Sequence, residues 1–264
     1  MNRFRILEWQ TIPFPGKGED VFLESERCVA VIDGVTGHDG NGISFGGEKI
    51  SYGRWAAEIG ARALEEAAAI DGPAEEMPRR IVSHVSARLD QALATLVTNE
   101  APTFVFAAYF PKHNLVIRVG DCSVLVDNTP VEEMPNDELL VEERKKHMRE
   151  WLLSRYTPAG SEPTDELRHR IWEISRHWQW KHRNAEGGSS EKFGYAAIDG
   201  SHIPPARIEW TSLPQGTHTV TLASDGVRRD ALAETWEQTR INLGSDWRQS
   251  DDLTYVTLTT EVVS

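Results

Sequence analysis

The sequence predicts an α+β fold of layered antiparallel sheets with helices outside. Three observations predict it. The β-prone runs fall in groups and do not alternate regularly with helices, which argues against a doubly wound parallel sheet. Thr103–Phe110 and Leu115–Val119 are joined by Pro111-Lys112-His113-Asn114, a hairpin connection. Two helical stripes follow one another between the first strands and that hairpin.

Taken in order, Val21-Phe22-Leu23 and Cys28-Val29-Ala30-Val31-Ile32 are short β-prone runs, the second apolar enough to be buried on both faces. A Gly-rich loop is expected over 34–47. A helix is expected over about 51–69, with Trp55, Ile59, Ala63 and Leu64 on one face and Gly72-Pro73 as its stop. A second is expected over about 74–97, striped by Ile81, Val85, Leu89, Leu93 and Leu96. After the hairpin, Ser123–Val126 reads as strand. Residues 136–156 and 164–183 read as two helices separated by a Pro- and Gly-containing turn. In the second, Leu167, Ile171, Ile174 and Trp178 form the stripe. Residues 184–190 read as a loop, and strands resume at 193–198, 207–210, 217–222 and 254–259. One domain over 1–264 is expected, with a helical insert at about 127–192.

Composition narrows the function classes. The 264 residues are 39% hydrophobic and 26% charged, which suits a globular chain. With 28 Lys and Arg against 41 Asp and Glu, the net charge is −13. An acidic surface argues against nucleic acid or an anionic membrane as partner, and it allows carboxylates to gather around cations. Cys28 and Cys122 are the only cysteines, too few for a disulfide framework or a zinc cluster. The N-terminal stretch has no apolar run of signal-peptide type, and no stretch reaches the roughly 18 apolar residues of a membrane span. A cytoplasmic location is expected.

Four acidic positions share one context, the junction of an apolar strand with a loop. Asp33-Gly34 follows Val29-Ala30-Val31-Ile32, and Asp121 follows Val116-Ile117-Arg118-Val119-Gly120. Asp225-Gly226 follows Val220-Thr221-Leu222-Ala223-Ser224, and Asp251-Asp252 precedes Leu253-Thr254-Tyr255-Val256. A lone Asp-Gly is more often just a turn. Strand ends, however, hold oxygen atoms accurately, and a Gly lets a backbone carbonyl come close as a further ligand. Oxygen-only ligands favour hard cations such as Mg2+ and Mn2+ over zinc. Two such ions sharing a carboxylate suit in-line displacement at phosphorus, by holding water and neutralising phosphoryl charge. Glu19 and Asp20 add carboxylates for hydrogen bonds to metal-bound water.

These pieces resemble the metal-dependent serine/threonine protein phosphatases of type 2C. The matching segments occur in that family's order: Gly18-Glu19-Asp20, Val31-Ile32-Asp33-Gly34-Val35-Thr36-Gly37, Val119-Gly120-Asp121-Cys122-Ser123, Leu222-Ala223-Ser224-Asp225-Gly226-Val227, and Asp251-Asp252-Leu253-Thr254. The resemblance implies a four-layer sandwich of two antiparallel sheets flanked by helix pairs. It implies that Asp33 bridges two Mn2+ or Mg2+ ions and that the Gly34 carbonyl binds one of them. Asp225 and Asp251 would bind the other, Asp121 would help hold a third, weaker ion, and Glu19 and Asp20 would partner metal-bound water. The implied activity is hydrolysis of phosphoserine or phosphothreonine in a protein substrate, by direct attack of metal-bound water.

The sequence departs from the family in places. The Arg that often binds substrate phosphate is Pro15, and nearby Lys17 is the substitute, as a point charge and not a bidentate fork. Val35 stands where some members carry a His, and His38 reads as an exposed loop residue. Pro102-Thr103 replaces the usual Gly-Thr, and Ser123 replaces the Arg usual two residues after the Asp. Cys122 reads as a packing residue. The insert replaces a short flap, and its second helix is locally basic, through Arg168, Arg170, Arg176, Lys181 and Arg183. Two alternatives follow from these departures: a binding module of little or no activity on the same fold, or a phosphatase of a small phosphate ester. A phosphatase with an Asp nucleophile fails, because the first Asp of its Asp-x-Asp-Gly-Thr pattern would fall at Val31.

Overall fold

A computed structural model of the chain describes residues 3–13, 18–35, 42–96, 102–131, 138–158, 160–186, 195–226 and 252–261. The chain divides into two compact units, Met1–Glu132 with Ala197–Ser264, and Glu133–Ala196.

The first unit is α+β and contains two five-stranded sheets in which every pairing is antiparallel. One is built from β1 (Arg3–Ile12), β8 (Ser123–Val126), β9 (Thr129–Pro130), β11 (Thr219–Ala223) and β12 (Leu253–Glu261), in the order β1-β12-β11-β8-β9. The other is built from β2 (Val21–Ser25), β3 (Cys28–Val35), β6 (Thr103–Phe110), β7 (Leu115–Val119) and β10 (Glu209–Ser212), in the order β10-β7-β6-β3-β2. A small hairpin, β4 (Gly42–Phe45) with β5 (Glu48–Ser51), leads into α1 (Tyr52–Ala67), and α2 (Met77–Leu93) packs on α1.

The layering follows from burial. All eight residues of β6 and the first five of β3 are buried, so both faces of these strands are covered. Helix α1 covers one face, packing on β3, β2 and β6. The first sheet covers the other, with β11 and β12 against β3 and β11 against β6. Two aromatic pairs join the sheets: Phe4 meets Tyr109 edge-on at 6.4 Å, and Trp9 stacks on Phe22 at 5.0 Å. Among the described residues of this unit, α1 and α2 are the helix pair, and no second pair lies over the first sheet.

Several elements differ from expectation. Strand β1 was not expected: its alternation of Arg3 and Arg5 with Phe4 and Ile6 is broken by a bulge between Ile6 and Glu8, which hides the period of two. The expected Gly-rich loop contains the β4–β5 hairpin, turned at Gly46-Gly47. Helix α1 starts after Ser51, whose side chain accepts from Arg54 N at 3.0 Å, and Ile59 is half-buried. A 3-10 turn, Ala74–Glu76, precedes α2, which ends at Leu93, so Leu96 lies beyond the helix. Residues 193–198 do not make a strand among the described residues. Ile198 makes a lone bridge to Phe104, and Tyr195 one to Arg183. Residues 207–210 split into a 3-10 turn, Pro205–Arg207, and the start of β10.

The second unit contains α3 (Glu138–Tyr156) and α4 (Asp165–His182), packed on each other. Thr164 caps α4, its hydroxyl accepting from Leu167 N at 3.2 Å. The buried stripe of α4 advances by four residues, through Ile171 and Ser175, and leaves Ile174 51% exposed. The expected stripe placed Ile174 inward. Among the described residues no helix is long and apolar enough to cross a membrane.

Candidate metal centre

Strand β3 delivers two of the expected residues. Gly34 faces α1: a Cβ there would meet Gly53 O at 2.3 Å and Glu19 O at 2.9 Å. Only glycine permits this approach of strand and helix backbones. Alternation then turns Asp33 to the opposite face, the one shared with Val29 and Val31 and covered by the first sheet. The register agrees, since Tyr109 pairs with Val29 and its ring meets Phe4 of β1.

The neighbouring strands end in the same place. Glu19 and Asp20, at 8% and 2% exposure, open β2 beside the end of β3. Arg54, in the first turn of α1, donates from Nη1 to the Asp20 carbonyl and from Nε and Nη2 to Glu58 Oε1. Asp121 lies in the link that takes the chain from β7 in one sheet to β8 in the other. Its Oδ1 is buried and has no hydrogen-bond partner among the described residues. Asp225 and Gly226 follow β11, and a Cβ on Gly226 would lie 1.8 Å from Asp252 O. Ser224 N donates to Thr254 O at 2.9 Å and Thr254 N to Ser224 Oγ at 2.9 Å, locking the end of β11 to the start of β12.

Asp252 was not expected as a site residue. It is buried at 2% exposure, and its carboxylate accepts from Gly18 N at 3.0 and 3.1 Å and from Glu19 N at 2.5 Å. It therefore ties the Glu19-Asp20 segment of one sheet to β12 of the other. The doubled acid Asp251-Asp252 was its sequence signal. Asp251, Lys17 and His38 lie outside the described residues.

The electrostatics of Cys122 show what these strand ends bring together. Its thiol is fully buried, and its pKa is pushed well up, first by burial and then by the charges of Asp121, Asp33, Asp20 and Asp225. Four carboxylates from separate strand ends thus share one neighbourhood. The thiol stays protonated there, which agrees with a packing role.

Among the described residues no group of three or more His, Cys, Asp or Glu side chains is spaced to hold a metal ion. The residues present fit a hard divalent cation in kind. Every candidate donor is an oxygen, the charges of four carboxylates reach the Cys122 thiol, and Asp121 Oδ1 is buried without a donor among the described residues.

The same architecture occurs in solved structures. The catalytic domain of the serine/threonine protein phosphatase PstP, in complex with two manganese ions, superposes with a TM-score of 0.59 at 15% identity, over 99% of this chain and 100% of that one. The fold is that of the type 2C phosphatases. The PstP/Ppp phosphatase of Mycobacterium tuberculosis gives 0.55 at 16% identity, covering 97% and 98% of the two chains. The PPM Ser-Thr phosphatase MsPP of Mycobacterium smegmatis, in complex with cacodylate, gives 0.52 at 18%, covering 96% and 98%. At these identities the likeness is one of type 2C fold. Neither a protein-family model nor a curated protein matches the sequence.

Proposed function

We propose that this chain is a metal-dependent phosphatase that hydrolyses phosphoserine and phosphothreonine in proteins, in the cytoplasm, with one phosphatase domain interrupted by a helical insert. The observation that carries the reading is the gathering of Asp20, Asp33, Asp121 and Asp225 around one buried point on a type 2C fold. Asp33, the Gly34 carbonyl, Asp225 and Asp251 would hold two Mn2+ or Mg2+ ions, and Asp121 would help hold a third. Bound there, the ions would neutralise phosphoryl charge and activate the attacking water.

The chain's own residues do the rest. Glu19 and Asp20 orient the attacking water and take its proton, from a segment held rigid by Asp252 below and Arg54 beside it. Lys17 attracts the phosphate as a point charge. No side chain is required as a nucleophile: Cys122 is buried and its thiol is held protonated. In this reading metal-activated water would attack directly, without a phosphoenzyme.

The test is hydrolysis of a phosphopeptide, an aryl phosphate and a panel of phosphorylated metabolites, with and without Mn2+. Mn2+-dependent cleavage of the phosphopeptide, abolished by Asp33→Asn, is the expected result. Preference for a metabolite would move the reading to a small-ester phosphatase. No cleavage by the wild type, together with no effect of Asp33→Asn on Mn2+ binding, would leave a binding module.

A further inference from the structure

Strand β7 is Leu115-Val116-Ile117-Arg118-Val119, and all five residues are buried. Arg118, at 6% exposure, is the single charge in it. A buried guanidinium is costly to leave unpaired, and Glu209 and Cys122 are among the groups that answer it. The carboxylate of Glu209, its direct cross-strand partner on β10, forms an ion pair with Nη2. The carbonyl of Cys122 accepts from Nη1 at 3.2 Å.

The second contact reaches past the link between the two sheets. Residues 120–122 carry the chain from β7 to β8, and Asp121 sits in the middle of that link. Because Asp121 Oδ1 has no hydrogen-bond partner among the described residues, the aim of that oxygen depends on how the backbone is held. Arg118 holds it from behind, at the residue after Asp121. Stability alone does not explain the arrangement, since apolar residues of similar volume commonly replace a buried ion pair without loss. What the pair supplies is a fixed geometry for the link.

We propose that Arg118, fixed by Glu209, is a positioning residue that sets the carboxylate of Asp121 toward the metal centre. This rests on the metal-dependent reading. Arg118→Lys keeps a charge beside Glu209 but loses the fork that reaches both partners. The measurements are calorimetric Mn2+ titration, Tm and phosphopeptide hydrolysis, on Arg118→Lys, Asp121→Asn and the double variant.

Arg118→Lys is expected to weaken the weakest Mn2+ association about tenfold, the scale of an outer-shell partner. The double variant should be no weaker than Asp121→Asn alone, because both changes act through one carboxylate. If Arg118→Lys loses Tm, the apolar pair Arg118→Met with Glu209→Leu keeps the fold and should show the same Mn2+ defect. Wild-type Mn2+ binding in Arg118→Lys and in the apolar pair, or additive losses in the double variant, would overturn the assignment alone. Absence of Mn2+ binding by the wild type would overturn the metal-dependent reading and this assignment with it.

Discussion

The packing of β3 on α1 at Gly34 makes a quantitative prediction. In Gly34→Ala the new methyl meets Gly53 O at 2.3 Å, Gly53 C at 2.5 Å and Glu19 O at 2.9 Å, where real Cβ contacts essentially never fall below 3.0 Å. All three obstacles are backbone, so no side chain can turn aside. Either α1 or β3 must move. Overpacking of this kind costs about 1–3 kcal/mol, and rigid surroundings put it at the upper end. Near 3 kcal/mol, a unit of this size loses roughly 6–12 °C of Tm. The displaced segments carry Asp33 and Glu19, so Mn2+ affinity should fall with Tm. Gly60→Ala is the control: its methyl meets the Phe104 ring at 2.6 Å on the same helix–sheet interface. A ring can tilt, so that variant should lose less Tm and keep its Mn2+ affinity. Calorimetry of both variants, with and without Mn2+, decides. A Gly34→Ala protein with wild-type Tm and wild-type Mn2+ affinity would refute the close approach and the site built on it.

Asp252→Asn removes a charged acceptor from the Gly18 and Glu19 N–H groups and should cost about 2 kcal/mol, read as a drop in denaturant midpoint with an unchanged slope. Asp127 has its pKa lowered, first by the hydrogen bond from His218 and then by Thr219 N–H. Its contribution is present above the ordinary carboxylate value of about 3.9 and is lost as pH falls through the lowered folded value. Asp127→Asn should therefore lower stability at neutral pH, by less than about 1 kcal/mol for so exposed a group, and the difference from wild type should vanish in acid. Cys122→Ala should retain wild-type kcat, and alkylating reagents should leave the folded wild type active, because the thiol is buried and protonated; inactivation by alkylation would return Cys122 to the mechanism.

The parts of the fold legible in the sequence are those whose burial is extreme. Strands β3, β6 and β7 are near-continuous apolar runs because each is covered on both faces. Strand β1 escaped because it is an edge strand, half-buried at most, with a bulge that breaks its alternation. In the candidate site, Asp33, Asp121 and Asp225 stood out in the sequence because each lies where an apolar strand meets a loop. Their nearness to one another was not legible, since it depends on the packing of one sheet on the other, which sets β11 and β12 against β3. Asp252 was adjacent to an expected ligand, but only burial distinguishes it as the acid that holds Gly18 and Glu19. Arg118 was visible as a lone cation in an apolar strand. Its partner Glu209 lies 91 residues away and could be assigned only from the β7–β10 register.

If a cation binds among these carboxylates, their distribution over the two sheets ties its binding to folding. Asp20 and Asp33 belong to the second sheet, Asp225 to the first, and Asp121 to the link between them. No single sheet carries the set, so a centre built on it would exist only when the sheets are face to face. All four charges reach the buried Cys122 thiol at that contact. A cation bound to the folded chain and not to the unfolded one stabilises by about 2.7 kcal/mol at a hundred times its Kd. For a unit of this size that is a rise in Tm of roughly 5–11 °C. Excess EDTA should reverse it, and Asp33→Asn should abolish it. If calorimetry records Mn2+ binding and Tm does not move, the ion sits on groups that the unfolded chain presents equally well. A centre that bridges the two sheets would then be wrong.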